Sequence, residues 1–131
     1  MDPTSPHWAI RKAPRCLTCG SETRHRRTSR NNPNGNAGRP LYECTNSKCL
    51  KFSCFGDMRG VLMDNPACDC SSLLHSRLQI AGRDRQYPRA LHYTCAVGRC
   101  SYFSYLTNER DEKIIYTGPI LAPAEMARCG L

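Results

Sequence analysis

A repeated cysteine pattern constrains the fold of this 131-residue chain more than any other feature. Eight of the ten cysteines form two sets of four, each with a close first pair, a gap of 24 residues and a C-x4-C second pair. The sets lie 51 residues apart and comprise Cys16, Cys19, Cys44 and Cys49, then Cys68, Cys70, Cys95 and Cys100. Four thiols in two close pairs are typical of a tetrahedral structural zinc site. The pattern therefore predicts two zinc ions per chain, and disulfide bonds are the alternative use of these cysteines.

The repeat extends beyond the cysteines. Tyr42 matches Tyr93 and Phe52 matches Phe103 at the same 51-residue offset. A fixed offset over several residue types indicates tandem structural units. We therefore expect a flexible N-terminal arm, two modules and a tail with a possible added strand before a loose end, covering residues 1–11, 12–60, 61–110 and 111–131.

The apolar content is too low for a large core. Leu, Ile, Val and Phe number 21 of 131 residues, or about 16%. Modules of about 50 residues with so little apolar surface need a covalent or metal staple. A large buried active-site cavity and a membrane-spanning helix are both unexpected, since no apolar run approaches about 18 residues.

The segments around each second cysteine pair alternate in polarity and predict short strands. These strands cover residues 41–44, 51–55, 92–95 and 102–106. Residues 71–80 predict a further strand, with a helical turn as the alternative. The expected structure is therefore mostly antiparallel β with little helix.

A few apolar residues are expected to form the small cores. Phe52 and Phe103 share a repeat position and are predicted to be buried, with contact to nucleic acid as the alternative. Cys54 is predicted to be buried as well, with replacement of one of the zinc ligands as the alternative. Residues 61–63 are expected to pack between the modules. Trp8 is expected to dock on one of them, with stacking on a ligand as the alternative.

The charge is strongly positive and uneven. The formal net charge is +8, and residues 1–60 contribute +7 of it. Arginine outnumbers lysine by 15 to 4, and arginine suits bidentate contact with phosphate and stacking on bases. The first residues have neither a basic nor an apolar segment of the secretory type. We therefore expect a reducing compartment, the nucleus or the cytoplasm, where thiols bind metal more often than they form disulfides.

Residues 36–44 resemble the core of a known zinc-binding family. They read N-A-G-R-P-L-Y-E-C, which is similar to the N-x-G-R-x-(F/Y)-Y-x-C core of GRF-type zinc fingers. Cys16, Cys19 and Gly20 precede this core, and Cys49 and Phe52 follow it, as in the family. Residues 68–105 are similar in outline.

The resemblance implies a small mostly-β fold of two tandem zinc-stapled, three-stranded antiparallel modules, of the zinc ribbon or GRF-like type. It also implies binding of single-stranded nucleic acid, without the catalysis of the repair enzymes and topoisomerases that carry such modules. The sequence departs from the family in three ways. The first pair of the first module is C-x2-C, the family's Trp position falls on Cys54 and Tyr105, and Gly38-Arg39 has no counterpart in the second module. One module can therefore bind while the other is structural.

The candidate contacts to nucleic acid are cations of both modules and two tyrosines. Arg39 follows a glycine in a predicted turn and is the leading phosphate contact, with bracing of its loop as the alternative. Tyr102 lies on the opposite face from Phe103 and is the better stacking candidate, while Tyr105 occupies the family's Trp position. The full set is Arg24, Arg26, Arg27, Arg39, Lys51, Arg77, Arg89, Tyr102 and Tyr105.

Two other functions compete with nucleic-acid binding. A zinc-stabilised adaptor would use the same scaffold and its basic surface to bind an acidic protein. An enzyme is not expected, because the sequence has no zinc-protease motif, nucleophile elbow or phosphate loop.

Overall fold

The computed structural model describes residues 8–10, 12–70 and 75–131. Within these residues the chain forms two three-stranded antiparallel sheets, with strand orders β1-β2-β3 and β4-β5-β6. The first sheet comprises β1 (Thr23–Arg27), β2 (Pro40–Cys44) and β3 (Phe52–Phe55), and the second β4 (Arg77–Ile80), β5 (Leu91–Thr94) and β6 (Phe103–Tyr105). One short helix follows, α1 (Pro123–Arg128). The predicted mostly-β fold of two three-stranded antiparallel units is confirmed.

The strands predicted from alternation are confirmed, and one strand was not predicted. Strands β2, β3, β5 and β6 form around the second cysteine pairs, where apolar and polar residues alternate. Strand β4 occupies the end of the segment predicted over residues 71–80, of which residues 71–74 lie outside the described residues. Strand β1 has the sequence TRHRR, in which apolar and polar residues do not alternate. It forms a strand because it pairs with β2 along its whole length.

The core of the first sheet is small and aromatic. Tyr42 on β2 is fully buried and packs with Ile10 and Cys54. The Tyr42 hydroxyl donates to the carbonyl of Ile10, and Trp8 stacks on His25 with ring centroids 4.1 Å apart. The predicted docking of Trp8 and burial of Cys54 are thus observed. The loose arm was predicted over residues 1–11, of which 1–7 and 11 lie outside the described residues.

A buried ionic cluster joins the two modules. Asp57, which is 6% exposed, follows β3 and accepts hydrogen bonds from two arginines of even lower exposure. Arg39 binds it through Nε and a terminal nitrogen, both at 2.8 Å. Arg77 of β4 donates to the same carboxylate at 2.9 Å. Burial raises the pKa of Asp57, but the hydrogen bond and charge of Arg39, the charge of Arg77 and the N–H of Arg59 together outweigh it, so the net shift is downward.

Arg77 reaches from the second module into the first. Besides Asp57, it donates to the backbone carbonyls of Phe55, Asp57, Arg59 and Ala96 at 2.7–3.2 Å. Burial lowers the pKa of Arg77 to about 10, so its guanidinium remains charged at neutral pH. These carbonyls and the carboxylate replace the water that the two terminal nitrogens of this buried guanidinium lose, whereas its Nε has no hydrogen-bond partner among the described residues.

This cluster bears on two predictions. Arg39 and Arg77 are 2% and 0% exposed and both bind Asp57, which favours a bracing role for Arg39 and Arg77 over contact with phosphate. Residues 61–63 are predicted to pack between the modules. Val61 is half-buried and bridges to Arg77, whereas Leu62 and Met63 are 45% and 87% exposed. The contact between the modules at Asp57 is ionic because the chain has few large apolar side chains that could fill this space.

A close backbone approach reinforces this junction. Gly98 of the second module has φ of +69°, and a Cβ there would lie 3.1 Å from Pro14 and 3.2 Å from Cys54 Sγ. Both neighbours belong to the first module. Glycine adopts this conformation without strain, and a larger residue here would also have to displace a neighbour by a few tenths of an ångström.

The tail packs on the modules. Ile115 bridges to Ala90 and Lys113 bridges to Thr107. These are isolated bridges, so the described tail does not form the added strand that the sequence offers as a possibility. Helix α1 then buries Met126 completely. Across the described part of the chain, no helix has the length and apolar character needed to cross a membrane.

Asp57→Asn is expected to destabilise the zinc-loaded protein by about 3–5 kcal/mol, because it leaves two buried guanidinium groups without a counter-charge. Urea denaturation followed by circular dichroism measures this loss. Asp64→Asn is the matched control, since Asp64 is exposed and its replacement should change stability by less than about 0.5 kcal/mol. Equal stability of the two variants would show that the cluster does not hold the modules together.

Candidate metal centre

The first cluster brings together the four cysteines of the first module. Their sulfur atoms all lie within 4.8 Å of one another. The Sγ atoms of Cys16 and Cys49 are 3.7 Å apart, and those of Cys19 and Cys44 are 3.4 Å apart. Cys44 ends β2, and the other three lie in the turns before β1 and before β3. The sheet thus brings together two turns that are distant in sequence.

The turn that carries Cys16 and Cys19 is fixed by its backbone. The N–H of Gly20 donates to the Cys16 carbonyl at 2.8 Å, and the N–H of Cys16 donates to the Ser21 carbonyl at 2.9 Å. Gly20 has φ of +76°, a left-handed conformation that glycine adopts without strain. This tight turn points both thiols to one side. In the second pair, the N–H of Asn46 donates to Cys44 Sγ at 3.4 Å.

The second cluster repeats this arrangement in the second module. The sulfur of Cys68 lies 3.3 Å from that of Cys70 and 3.8 Å from that of Cys95. Cys100 completes the group within the same 4.8 Å limit. The N–H of Arg99 donates to Cys95 Sγ at 3.4 Å. In both modules a backbone N–H of the turn thus binds the first thiol of the second pair, from two residues further on at Cys44 and from four residues further on at Cys95.

The geometry of both clusters fits zinc. A tetrahedral ion with Zn–S bonds of about 2.3 Å places its sulfurs about 3.8 Å apart. The measured separations of 3.3–3.8 Å approach this value. All ten cysteines lie within the described residues and carry free thiols, so the disulfide alternative is not observed. Each cluster can hold one zinc ion with four protein sulfurs, which leaves no position for a reactive water.

The thiols of each cluster differ in acidity. Hydrogen bonds from Ser21, its hydroxyl first, lower the pKa of Cys19 to about 6. Burial raises the pKa of Cys95, but the N–H groups of Arg99, Val97 and Cys100 outweigh it and bring the pKa to about 7. Burial raises the pKa of Cys44 and that of Cys68 to about 12. Zinc must therefore displace protons from some thiols, so zinc affinity falls as the pH falls.

Two cysteines lie outside the clusters. Cys54 is 2% exposed, and burial raises the pKa of its thiol to about 12. It packs against Tyr42 and Ile10 as a small apolar side chain. Cys129 follows α1 and is exposed.

Strand β1 presents the most concentrated basic surface among the predicted contacts. Arg24 and Arg26 both bind the carboxylate of Glu43, at 2.9 and 2.8 Å, yet their side chains stay 56% and 60% exposed. The hydrogen bond of Arg26 lowers the pKa of Glu43, so this carboxylate is ionised at neutral pH. Two cations share one anion here, which leaves an exposed net positive charge.

The other predicted cations are placed differently. Arg27 donates to the Gly38 carbonyl at 3.1 Å and lies 6.0 Å from the Trp8 ring. Lys51 is exposed beside the start of β3. Arg89 is half-buried and donates to the carbonyl of Gly118 at 2.8 Å, which ties it to the tail.

A groove between the two sheets collects the exposed aromatic rings. Phe52 and Phe103 are 45% and 50% exposed and both line this groove, whose volume is about 670 Å³. The prediction that they fill the cores is therefore wrong, because Tyr42 and Cys54 occupy that space in the first module. Tyr105 also lines the groove, whereas Tyr102 lies outside its lining, with its hydroxyl 3.3 Å from that of Ser104.

Comparison with known proteins finds one family model that is similar to the first module. Residues 13–59 match the family model described as the GRF-like zinc ribbon domain. No curated protein and no solved structure is significantly similar to the chain. The resemblance seen in the sequence is thus confirmed for the first module, and the second four-cysteine cluster indicates a further zinc site.

Elemental analysis of the purified protein should find two zinc ions per chain, because each cluster offers four sulfurs at zinc-binding distances. Dialysis against a strong chelator should remove both ions and the β-sheet signal with them. A metal-free protein with an unchanged circular dichroism spectrum would contradict a structural role for the clusters.

Cys44→Ser and Cys95→Ser should each remove one zinc ion and unfold the affected module. Cys129→Ser is the matched control, since this exposed thiol belongs to neither cluster, and it should retain both ions. Zinc content and proteolytic sensitivity measure these outcomes. Retention of two ions by Cys44→Ser would show that the first cluster is not the ligand set.

Proposed function

We propose that this chain, whose residues 13–59 match the GRF-like zinc ribbon domain model, is a non-enzymatic nucleic-acid-binding protein that favours single strands. The observation that carries the proposal is the exposed basic strand β1. Its Arg24 and Arg26 remain more than half exposed although both bind Glu43. Such a strand offers guanidinium groups that are already oriented toward solvent and suited to phosphate.

The charge around β1 supports an anionic partner. Residues 23–30 contain four exposed arginines and neither aspartate nor glutamate. Zinc lowers the formal charge of +8 to about +4, because a four-thiolate site carries a net charge of −2. The remaining excess is concentrated in the first module, where Arg30 and Lys51 are also exposed. This local excess favours the phosphate backbone of DNA or RNA.

The exposed aromatic rings support a preference for single strands. Phe52 and Phe103 each leave about half of their surface in solvent, although burial of such rings is favourable. An unpaired base can stack on an exposed ring, with a gain of about 1–3 kcal/mol per base. In a duplex the base faces are already stacked, so the same gain is not available.

Zinc in this protein is proposed to be structural. Zinc ribbon modules are generally non-catalytic, and a four-sulfur site leaves no position for an activated water. Eight thiolate ligands require a reducing compartment, so the nucleus or the cytoplasm remains our prediction for where the protein acts.

A protein-binding adaptor is the second candidate. The segment between the modules exposes three apolar side chains, Met58, Leu62 and Met63, which are 41%, 45% and 87% exposed. Exposed methionine and leucine side chains are common at surfaces that bind proteins. This segment would serve such a partner, whereas it offers no cation for a nucleic acid except Arg59, which is engaged by backbone carbonyls.

Fluorescence anisotropy of the zinc-loaded protein with labelled single-stranded DNA, duplex DNA and RNA tests the proposal. Single strands should bind most tightly, and log K should fall with log salt by about 0.7 per phosphate contacted. Absence of binding to all three probes at low salt would contradict nucleic-acid binding and favour the adaptor.

Charge variants locate the surface. Lys51→Gln and Arg30→Gln should each weaken binding uniformly across sequences and reduce the salt slope. Arg110→Gln is the control, since Arg110 is exposed among Glu109, Asp111 and Glu112. An equal loss from all three substitutions would mean that net charge alone drives binding.

A further inference from the structure

The groove between the sheets is built by both modules. The first module contributes Phe52 and Phe55 to its lining, and the second contributes His92, Phe103 and Tyr105. Its volume of about 670 Å³ lies within the range of about 300–1,000 Å³ typical of ligand sites. Neither module alone could form it, because its two walls belong to different sheets.

The rings of the groove are held in place by one another. Phe52 meets Phe55 edge-on with centroids 4.9 Å apart. Phe103 stacks on His92 at 5.0 Å and meets Tyr105 edge-on at 4.9 Å. Phe52 and Phe103 nevertheless keep about half of their surface exposed. Fixed and exposed rings of this kind form a stacking platform for flat ligands.

The groove also has free polar groups. Asn34 and Gln79 line it, and neither carboxamide has a hydrogen-bond partner among the described residues. A carboxamide offers a donor and an acceptor side by side, which matches the edge of a nucleobase. Base pairing occupies the Watson–Crick edge in a duplex, so these groups favour an unpaired base.

The charge at the groove favours an anionic strand. Lys113 Nζ lies 4.3 Å from the ring centroid of Tyr87 and 4.9 Å from that of Tyr105. Arg85 and Asp84 line the groove. Lys113 and Arg85 outnumber the single carboxylate of Asp84, so phosphates next to a bound base would meet a positive surface.

The ionic cluster between the modules supports the groove. The guanidinium carbon of Arg39 lies 3.6 Å from the ring centroid of Phe55, and Phe55 packs against Phe52. Arg39 is in turn held by Asp57, to which Arg77 of the second module also donates. The contacts that fix the modules therefore also fix one wall of the groove.

We infer that the groove between the two sheets is a composite site for unpaired nucleobases, in which rings of both modules stack on bases of one strand. This inference rests on the proposed function and adds to it that the bases of the bound nucleic acid are recognised. It predicts that the two modules act as one binding unit.

The test compares a labelled single strand with an abasic strand of the same length, using fluorescence anisotropy of the full zinc-loaded chain. The base-containing strand should bind at least about 5-fold more tightly, and Phe52→Leu and Phe103→Leu should each remove roughly 5- to 150-fold of its affinity. Neither substitution should change binding of the abasic strand. Tyr102→Leu is the matched control, because Tyr102 lies outside the groove lining, and it should leave both affinities unchanged. Zinc content and circular dichroism establish that each variant is folded.

The outcomes separate this inference from the proposed function. If the unaltered protein binds single strands but neither phenylalanine variant loses affinity, the groove is not the site and the proposed function survives. Loss from only one phenylalanine variant would overturn the composite character of the site. If no nucleic acid binds at all, the proposed function fails first.

Photo-cross-linking with a strand that carries 5-iodouracil gives a measurement that needs no variant. Cross-links should map to Phe52, Phe103 or Tyr105 by peptide mass spectrometry. Cross-links confined to residues outside the groove would overturn the inference even if the variants could not be purified.

Discussion

The carboxylate of Asp57 is the point on which the arrangement of the two modules depends. It lies between Arg39 of the first module and Arg77 of the second, and all three side chains are almost completely buried. A buried carboxylate between two buried guanidinium groups is stable only while all partners are present. The cluster therefore favours the relative position of the sheets in which Arg39, Asp57 and Arg77 meet.

The zinc sites solve a different problem. Each sheet has only three short strands and a core of a few side chains, which is too little apolar burial to offset the entropy of ordering about 50 residues. Four thiolates around one ion bind two turns to each other and close the module. Zinc thus provides stability within the modules, and the Arg39–Asp57–Arg77 cluster provides orientation between them.

The zinc sites and most strands could be predicted from the sequence because they follow spacing and alternation, which are local. The positions of Arg39 and Arg77 could not. Arg26 and Arg77 share a repeat position, yet Arg26 is exposed on β1 and Arg77 is buried, because only Arg77 faces the other module. Nothing near Asp57 in the sequence marks it as their partner. The prediction that Phe52 and Phe103 are buried was wrong for the same reason, since their exposure is set by how the sheets face each other.

These features together describe a protein whose two zinc modules present a basic strand and a shared aromatic groove. The most direct test of this account is a titration of isotope-labelled, zinc-loaded protein with a short single-stranded oligonucleotide, followed by NMR chemical-shift changes. The account predicts that the amides of β1 and the groove residues Phe52, Phe103 and Tyr105 shift together with one affinity. Shifts confined to one module, or to the exposed apolar residues Met58, Leu62 and Met63, would contradict it.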